Sequence, residues 1–70
     1  ATTTLEVDEI PASIKRGLEK RYSDYVVKEA LQYKSYDEVS YFIALENQKE
    51  DIVLKVTGGS LSVYSSTDKN

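Results

Sequence analysis

The stretch VSYFIALENQKEDIVLKVTGGSLSVY, from Val39 to Tyr64, decides the fold. Its apolar residues recur at every second position in three runs: Val39, Tyr41, Ile43 and Leu45; then Ile52, Leu54 and Val56; then Leu61 and Val63. That period belongs to strands of a sheet with one buried face. The breaks between the runs test the reading. If Asn47 pairs with Glu50 around Gln48-Lys49, then Leu45 opposes Ile52, Ile43 opposes Leu54 and Tyr41 opposes Val56. If Gly58-Gly59 form a two-residue hairpin loop, where positive φ is needed, Thr57 pairs with Ser60. Val56 then opposes Leu61, and Leu54 opposes Val63. Both loops keep every inward residue inward. Because a one-residue slip would turn a strand's apolar set to solvent, turns and alternation together predict an antiparallel meander.

Upstream, Ile10, Ile14, Leu18 and Tyr22 recur every four residues, with charged residues filling the other side. This is the period of a helix with one buried stripe. Asp8 is positioned as its N-cap, its carboxylate able to accept from the first free N–H groups. Pro11 falls in the first turn, where its missing N–H breaks no bond. Gly17 costs helix propensity, about 1 kcal/mol relative to Ala, and close approach of the helix backbone to the sheet would explain it.

Between helix and meander, Tyr25 to Lys34 is rich in strand formers but alternates poorly. One face reads Val27, Glu29, Leu31 and Tyr33; the other reads Val26, Lys28, Ala30 and Gln32. A bulge would let Val27 and Ala30 both face the core, and the register stays open at this point. Residues 1–9 form a flexible arm, given their polar threonines and terminal position. Residues 10–66 form the single domain, and residues 67–70 fray. The expected fold is therefore α+β, one N-terminal helix packed on a four-stranded antiparallel β-meander. No second helix is present to cross between parallel strands.

Composition narrows the chemistry. Seventy residues make one small domain, with a net charge of −3 and neither Cys nor His. Thiolate and imidazole zinc sites are excluded, as are nucleophilic triads built on His or Cys. The chain holds no disulfide, so one apolar layer must supply the stability. No apolar run approaches the roughly 20 residues of a membrane-spanning helix. Lys15, Arg16, Lys20 and Arg21 make the helix basic, but within an acidic protein they read as a solvated face rather than a nucleic-acid stripe.

The residues reached so far carry a resemblance. Ile10-Pro11 opens a helix that contains Gly17-Leu18 and ends at Tyr22. Val27, Tyr41-Phe42-Ile43-Ala44-Leu45 and Ile52-Val53-Leu54-Lys55-Val56 follow, with Gly58 before the last strand. From Ile10 to Tyr64 this resembles the PepSY-like periplasmic domain family, whose fold is similar to one half of the β-lactamase-inhibitor-protein fold. The chain departs from the family in Ser23, where Pro is usual, in Ala44, and in Gly58-Gly59 where Asp-Gly is usual. The resemblance implies a periplasmic or otherwise extracytoplasmic protein, often in tandem copies. The role it implies is unassigned, with protein binding or inhibition suggested by analogy of fold.

Nothing in the chain assembles a catalytic, cofactor or metal site. Ser60, Ser62, Ser65 and Ser66 read as polar surface. Asp8-Glu9, Asp37-Glu38 and Glu50-Asp51 are neighbours in separate turns, without the alternating ligands of a calcium loop. Gly58-Gly59 leads into a strand rather than the helix a phosphate loop needs. The one lead is on the outer face of the meander. There Ala44, Val53 and Tyr64 line up across three strands, with Phe42, Lys55 and Ser62 in the next row.

Such a row resembles an interaction surface, and ordinary cross-strand pairing that stabilises a sheet accounts for it at least as well. The reading preferred on sequence is a non-catalytic binding domain for another protein, through Phe42, Ala44, Val53, Lys55 and Tyr64 or through a sheet edge. The alternatives are an assembly module, as homodimer or half of a tandem repeat, and a small enzyme using carboxylates and tyrosine.

Overall fold

The structure, a computed structural model, describes residues 1–69. Its elements run β1 (Thr2–Leu5), a 3-10 turn (Val7–Glu9), α1 (Ala12–Arg21), β2 (Val26–Lys34), β3 (Val39–Glu46), β4 (Glu50–Thr57) and β5 (Ser60–Asp68). The strands form one antiparallel sheet in the order β1-β2-β3-β4-β5, with α1 on one face. The α+β class holds; the sheet has five strands rather than four. Among the described residues no helix is long and apolar enough to cross a membrane.

The extra strand comes from the segment expected to be a free arm. Thr2, Thr3, Thr4 and Leu5 pair with Tyr33, Gln32, Leu31 and Ala30. The ladder extends to the terminus, where the Ala1 amine donates to Lys34 O at 2.9 Å and Lys34 N–H donates to Ala1 O at 2.9 Å. Only Leu5 of this strand packs on the core. Backbone pairing by β-branched residues, not apolar periodicity, holds the strand. At the other end β5 continues through Asp68, so Thr67 and Asp68 are paired rather than frayed; Asn70 lies outside the described residues.

The helix starts later than Asp8 suggested. Asp8 lies inside the 3-10 turn, where Glu6 N–H donates to Glu9 Oε1 at 2.7 Å. Pro11 disfavours the helical conformation at the residue before it, and Ile10 is extended, with φ −68° and ψ 131°. Pro11 is itself the N-cap: its carbonyl accepts from Ile14 N–H at 3.0 Å and from Lys15 N–H at 3.1 Å. The helix closes where expected, with Tyr22 N–H donating to Leu18 O at 2.7 Å.

Both meander turns form as the alternation required. Leu45 opposes Ile52, Ile43 opposes Leu54 and Tyr41 opposes Val56. The Asn47 side chain braces the first turn, its Oδ1 accepting from Lys49 N–H at 2.8 Å and Glu50 N–H at 2.9 Å. In the second, Gly58 and Gly59 take φ of 58° and 83°, the left-handed pair a two-residue hairpin demands. Thr57 pairs with Ser60, Val56 with Leu61 and Leu54 with Val63.

Two bulges modify the regular pleat. Lys28 is the extra residue of β2: Val27 opposes Leu45 and Ala30 opposes Ile43, so both meet the core as a bulge allows. The second interrupts β5 at Tyr64, since Val63 opposes Leu54 but Ser65 opposes Val53. The core joins Ile10, Ile14 and Leu18 to Ala30, Ile43, Leu45, Ile52, Leu54 and Val56. Val39 and Val63, expected inward, are about half exposed, at 41 % and 56 %. Ser40 is buried and shares a 3.2 Å hydrogen bond with Thr57 Oγ1.

Candidate interaction surface

The outer face of the sheet is built by parity. Residues directly opposite one another across a ladder share a face, so one row runs Thr4, Leu31, Phe42, Lys55, Ser62. The next runs Glu29, Ala44, Val53, Ser65. Among the described residues no helix lies over these rows, since α1 packs its Ile14 and Leu18 on the opposite face with Ile43 and Leu54.

Of the five residues singled out from sequence, three meet. The Phe42 and Tyr64 rings stand edge to face, with centroids 5.3 Å apart and planes at 81°. Lys55 Nζ lies 5.9 Å from the Phe42 ring centre, within cation–π range. Ala44 and Val53 oppose each other in the adjoining row, both half-buried. One expectation is corrected: Tyr64 does not align with Val53. The β5 bulge puts Ser65 there, and the freed Tyr64 ring meets Phe42 instead while remaining 65 % exposed.

Leu31 belongs to this surface and was missed. Its sequence neighbours group it with Val27, but the Lys28 bulge reverses parity and sets it opposite Phe42. The signal was present: once Val27 and Ala30 both face inward, Leu31 must face outward.

At one end the apolar rows meet a charged cluster. Glu46 and Asp51 oppose each other on β3 and β4, an arrangement that repels unless bridged. Lys69 Nζ lies 3.0 Å from Glu46 Oε2 and 3.9 Å from Asp51 Oδ1, and Lys28 Nζ lies 4.0 Å and 3.6 Å from the same atoms. The two lysines offset the two carboxylates. Asp51 Oδ1 is closed off from solvent and accepts no hydrogen bond among the described residues, so the lysines serve it by charge alone. At the other end Tyr33, Ser40, Thr57 and Ser60 make a mostly hydroxyl row. An aromatic and aliphatic centre with a polar rim is the anatomy of protein interfaces.

Two other concavities compete for attention. A groove of about 340 Å³ runs between α1 and β2, floored by Ile10, Leu18, Val27 and Leu45 with Lys15 and Glu19 on its rim. A wider cleft of about 610 Å³ lies beside the Asn47 turn, between Asp24, Glu46, Lys49 and Lys69. Tyr25, which lines the groove beside α1, donates its hydroxyl to the Glu50 carboxylate, and its pKa is pushed up to about 12. The hydrogen bond to Glu50 is the main cause, followed by partial burial and the negative charges of Glu50 and Asp24. Neither concavity gathers three or more acidic side chains in a metal-binding arrangement among the described residues. Comparison with protein-family models, curated proteins and solved structures gives no match.

Proposed function

We propose that this chain is a non-catalytic, extracytoplasmic binding domain of PepSY-like type that takes another protein against its open sheet face. One arrangement carries the reading: Tyr64 and Lys55 each meet the Phe42 ring on a face that no helix covers among the described residues, with Leu31 and Val53 beside them. An edge-to-face aromatic pair contributes about 0.5–1.5 kcal/mol beyond its buried area. It therefore presents ordered rings whose conformational freedom is already spent before a partner arrives, which favours tight contact. The Lys28, Glu46, Asp51 and Lys69 cluster supplies alternating charge for orientation along the rim. The extracytoplasmic placement rests on the motif resemblance alone, and cell fractionation of the native protein tests it.

The binding reading is tested by capturing partners from a native extract on immobilised wild-type protein and on the Phe42→Ala/Tyr64→Ala variant. A partner held by the wild type and lost from a folded variant supports it, since truncating central aromatic anchors costs about 2 kcal/mol or more each. Partners retained equally by both would overturn it. Amide shifts mapped with a captured partner then distinguish the open face from the groove beside α1.

A further inference from the structure

The last strand has a free side. β5 pairs with β4 along Ser60–Asp68 and with nothing on its other edge among the described residues. The opposite edge of the sheet, β1, is only four residues long, short enough to be a poor template. β5 is nine residues long and carries neither Pro nor Lys, and its sole charge is at Asp68. Sheets usually guard so long an edge with charge or proline. This one has only the bulge at Tyr64.

That bulge selects the partner. On β5, Ser60, Ser62, Ser65 and Thr67 oppose outer-face residues Thr57, Lys55, Val53 and Asp51, while Leu61, Val63 and Ser66 oppose inner-face Val56, Leu54 and Ile52. The faces therefore change parity between Val63 and Ser65. A regular strand laid on this edge would match faces on one side of the bulge and mismatch them on the other. A strand with the same offset, running the other way, matches on both sides.

We propose that the occupant is a second copy of this chain, with β5 pairing antiparallel to its counterpart across a two-fold axis between Val63 and Tyr64. In that register Ser62 opposes Ser65, Leu61 opposes Ser66 and Ser60 opposes Thr67, and every flanking pair shares a face. At the axis the two bulges meet, with Val63, 56 % exposed, on the helix face and Tyr64, 65 % exposed, on the outer face. The segment Ser60–Thr67 is uncharged, so the contact sets no like charges opposite. Such a contact is isologous, closing two long edges at once and leaving only the short β1 edges free. The two copies then share one continuous sheet with both helices on the same side, and their outer rows adjoin. This assembly borders the binding proposed for the outer face at Tyr64 but does not depend on it.

Sedimentation velocity over a concentration series tests it with two paired variants at exposed serines. Ser62→Lys/Ser65→Lys sets two like-charge pairs across the axis and is expected to weaken association by about tenfold. Ser62→Lys/Ser65→Glu makes both pairs complementary and is expected to restore wild-type association or exceed it. Hydrogen exchange should show concentration-dependent protection at β5 and none at β1. Wild-type protein that stays monomeric into the high micromolar range overturns the proposal. So does association indifferent to both variants, or protection confined to the outer face. Phe42→Ala, on β3 and off the β5 edge, separates the two readings: lost partner capture with self-association intact leaves this proposal standing, and a monomeric wild type that still captures its partner leaves the binding reading standing.

Discussion

Individual side chains divide sharply by how much water they see. Ile43 and Leu54 are fully shielded and oppose each other at the centre of the β3–β4 ladder. Ile43→Val removes one methylene and should cost about 0.5–1.5 kcal/mol, whereas Leu54→Ala should cost about 2–5 kcal/mol. Urea denaturation checks the first. For the second, a domain this small has only about 3–10 kcal/mol to lose, so partial unfolding at rest is the expected result by circular dichroism. Tyr25 gives a different readout. Its neutral phenol is favoured in the folded state, so this stabilisation is full below its unfolded pKa near 10 and fades as pH rises through about 12. Ultraviolet titration should show an ionisation near pH 12 that vanishes in Tyr25→Phe and moves down in Glu50→Gln. An unchanged titration in Glu50→Gln would remove the hydrogen bond as its cause.

Among the elements, α1 and the glycine turn make opposite predictions for the same substitution. A Cβ at Gly17 would meet Leu61 side-chain carbons at 3.4 and 3.6 Å, ordinary contact. The helix does approach the sheet there, but not so closely that glycine is required. Gly17→Ala should therefore stabilise by about 1 kcal/mol through helix propensity, raising Tm by about 4–8 °C. At Gly58 no atom lies within 4 Å, yet φ is 58°. Gly58→Ala should destabilise by about 1–2 kcal/mol from backbone strain alone.

The elements also differ in how far the chain announces them. The β3–β4–β5 register was legible because two turns and three alternations had to agree, and α1 because Ile14 and Leu18 share one buried stripe. Strand β1 was not, because Thr2, Thr3 and Thr4 are held by backbone pairing to β2, which leaves no periodic mark. Within the candidate surface, Phe42, Ala44, Val53 and Lys55 followed from parity alone. Leu31 and the position of Tyr64 depended on two bulges, and a bulge is a local geometric choice that apolar spacing records only on one side. The charged cluster was hidden for a related reason: Lys69 reaches Glu46 only because β5 runs to Asp68.

At the scale of the whole molecule, α1 has no apolar layer of its own. Its buried residues share one core with the sheet, so helix and sheet should unfold together. Circular dichroism and tyrosine fluorescence are expected to give coincident urea transitions; separated midpoints would mean that the helix leaves first. The charged cluster should matter little to that stability. Its side chains are 33–47 % exposed, so Lys28→Ala should change it by less than about 1 kcal/mol, and less again in high salt.

The strict alternation along β3 and β4 has one more consequence, for descent and for design. Every second codon in these strands answers to folding, and the codons between answer to whatever the outer face must touch. Phe42, Ala44, Val53 and Lys55 can be rewritten together while Ile43, Leu45, Ile52 and Leu54 stay fixed. A lineage, or a combinatorial library, could exchange one target for another on this sheet without having to solve the folding problem again.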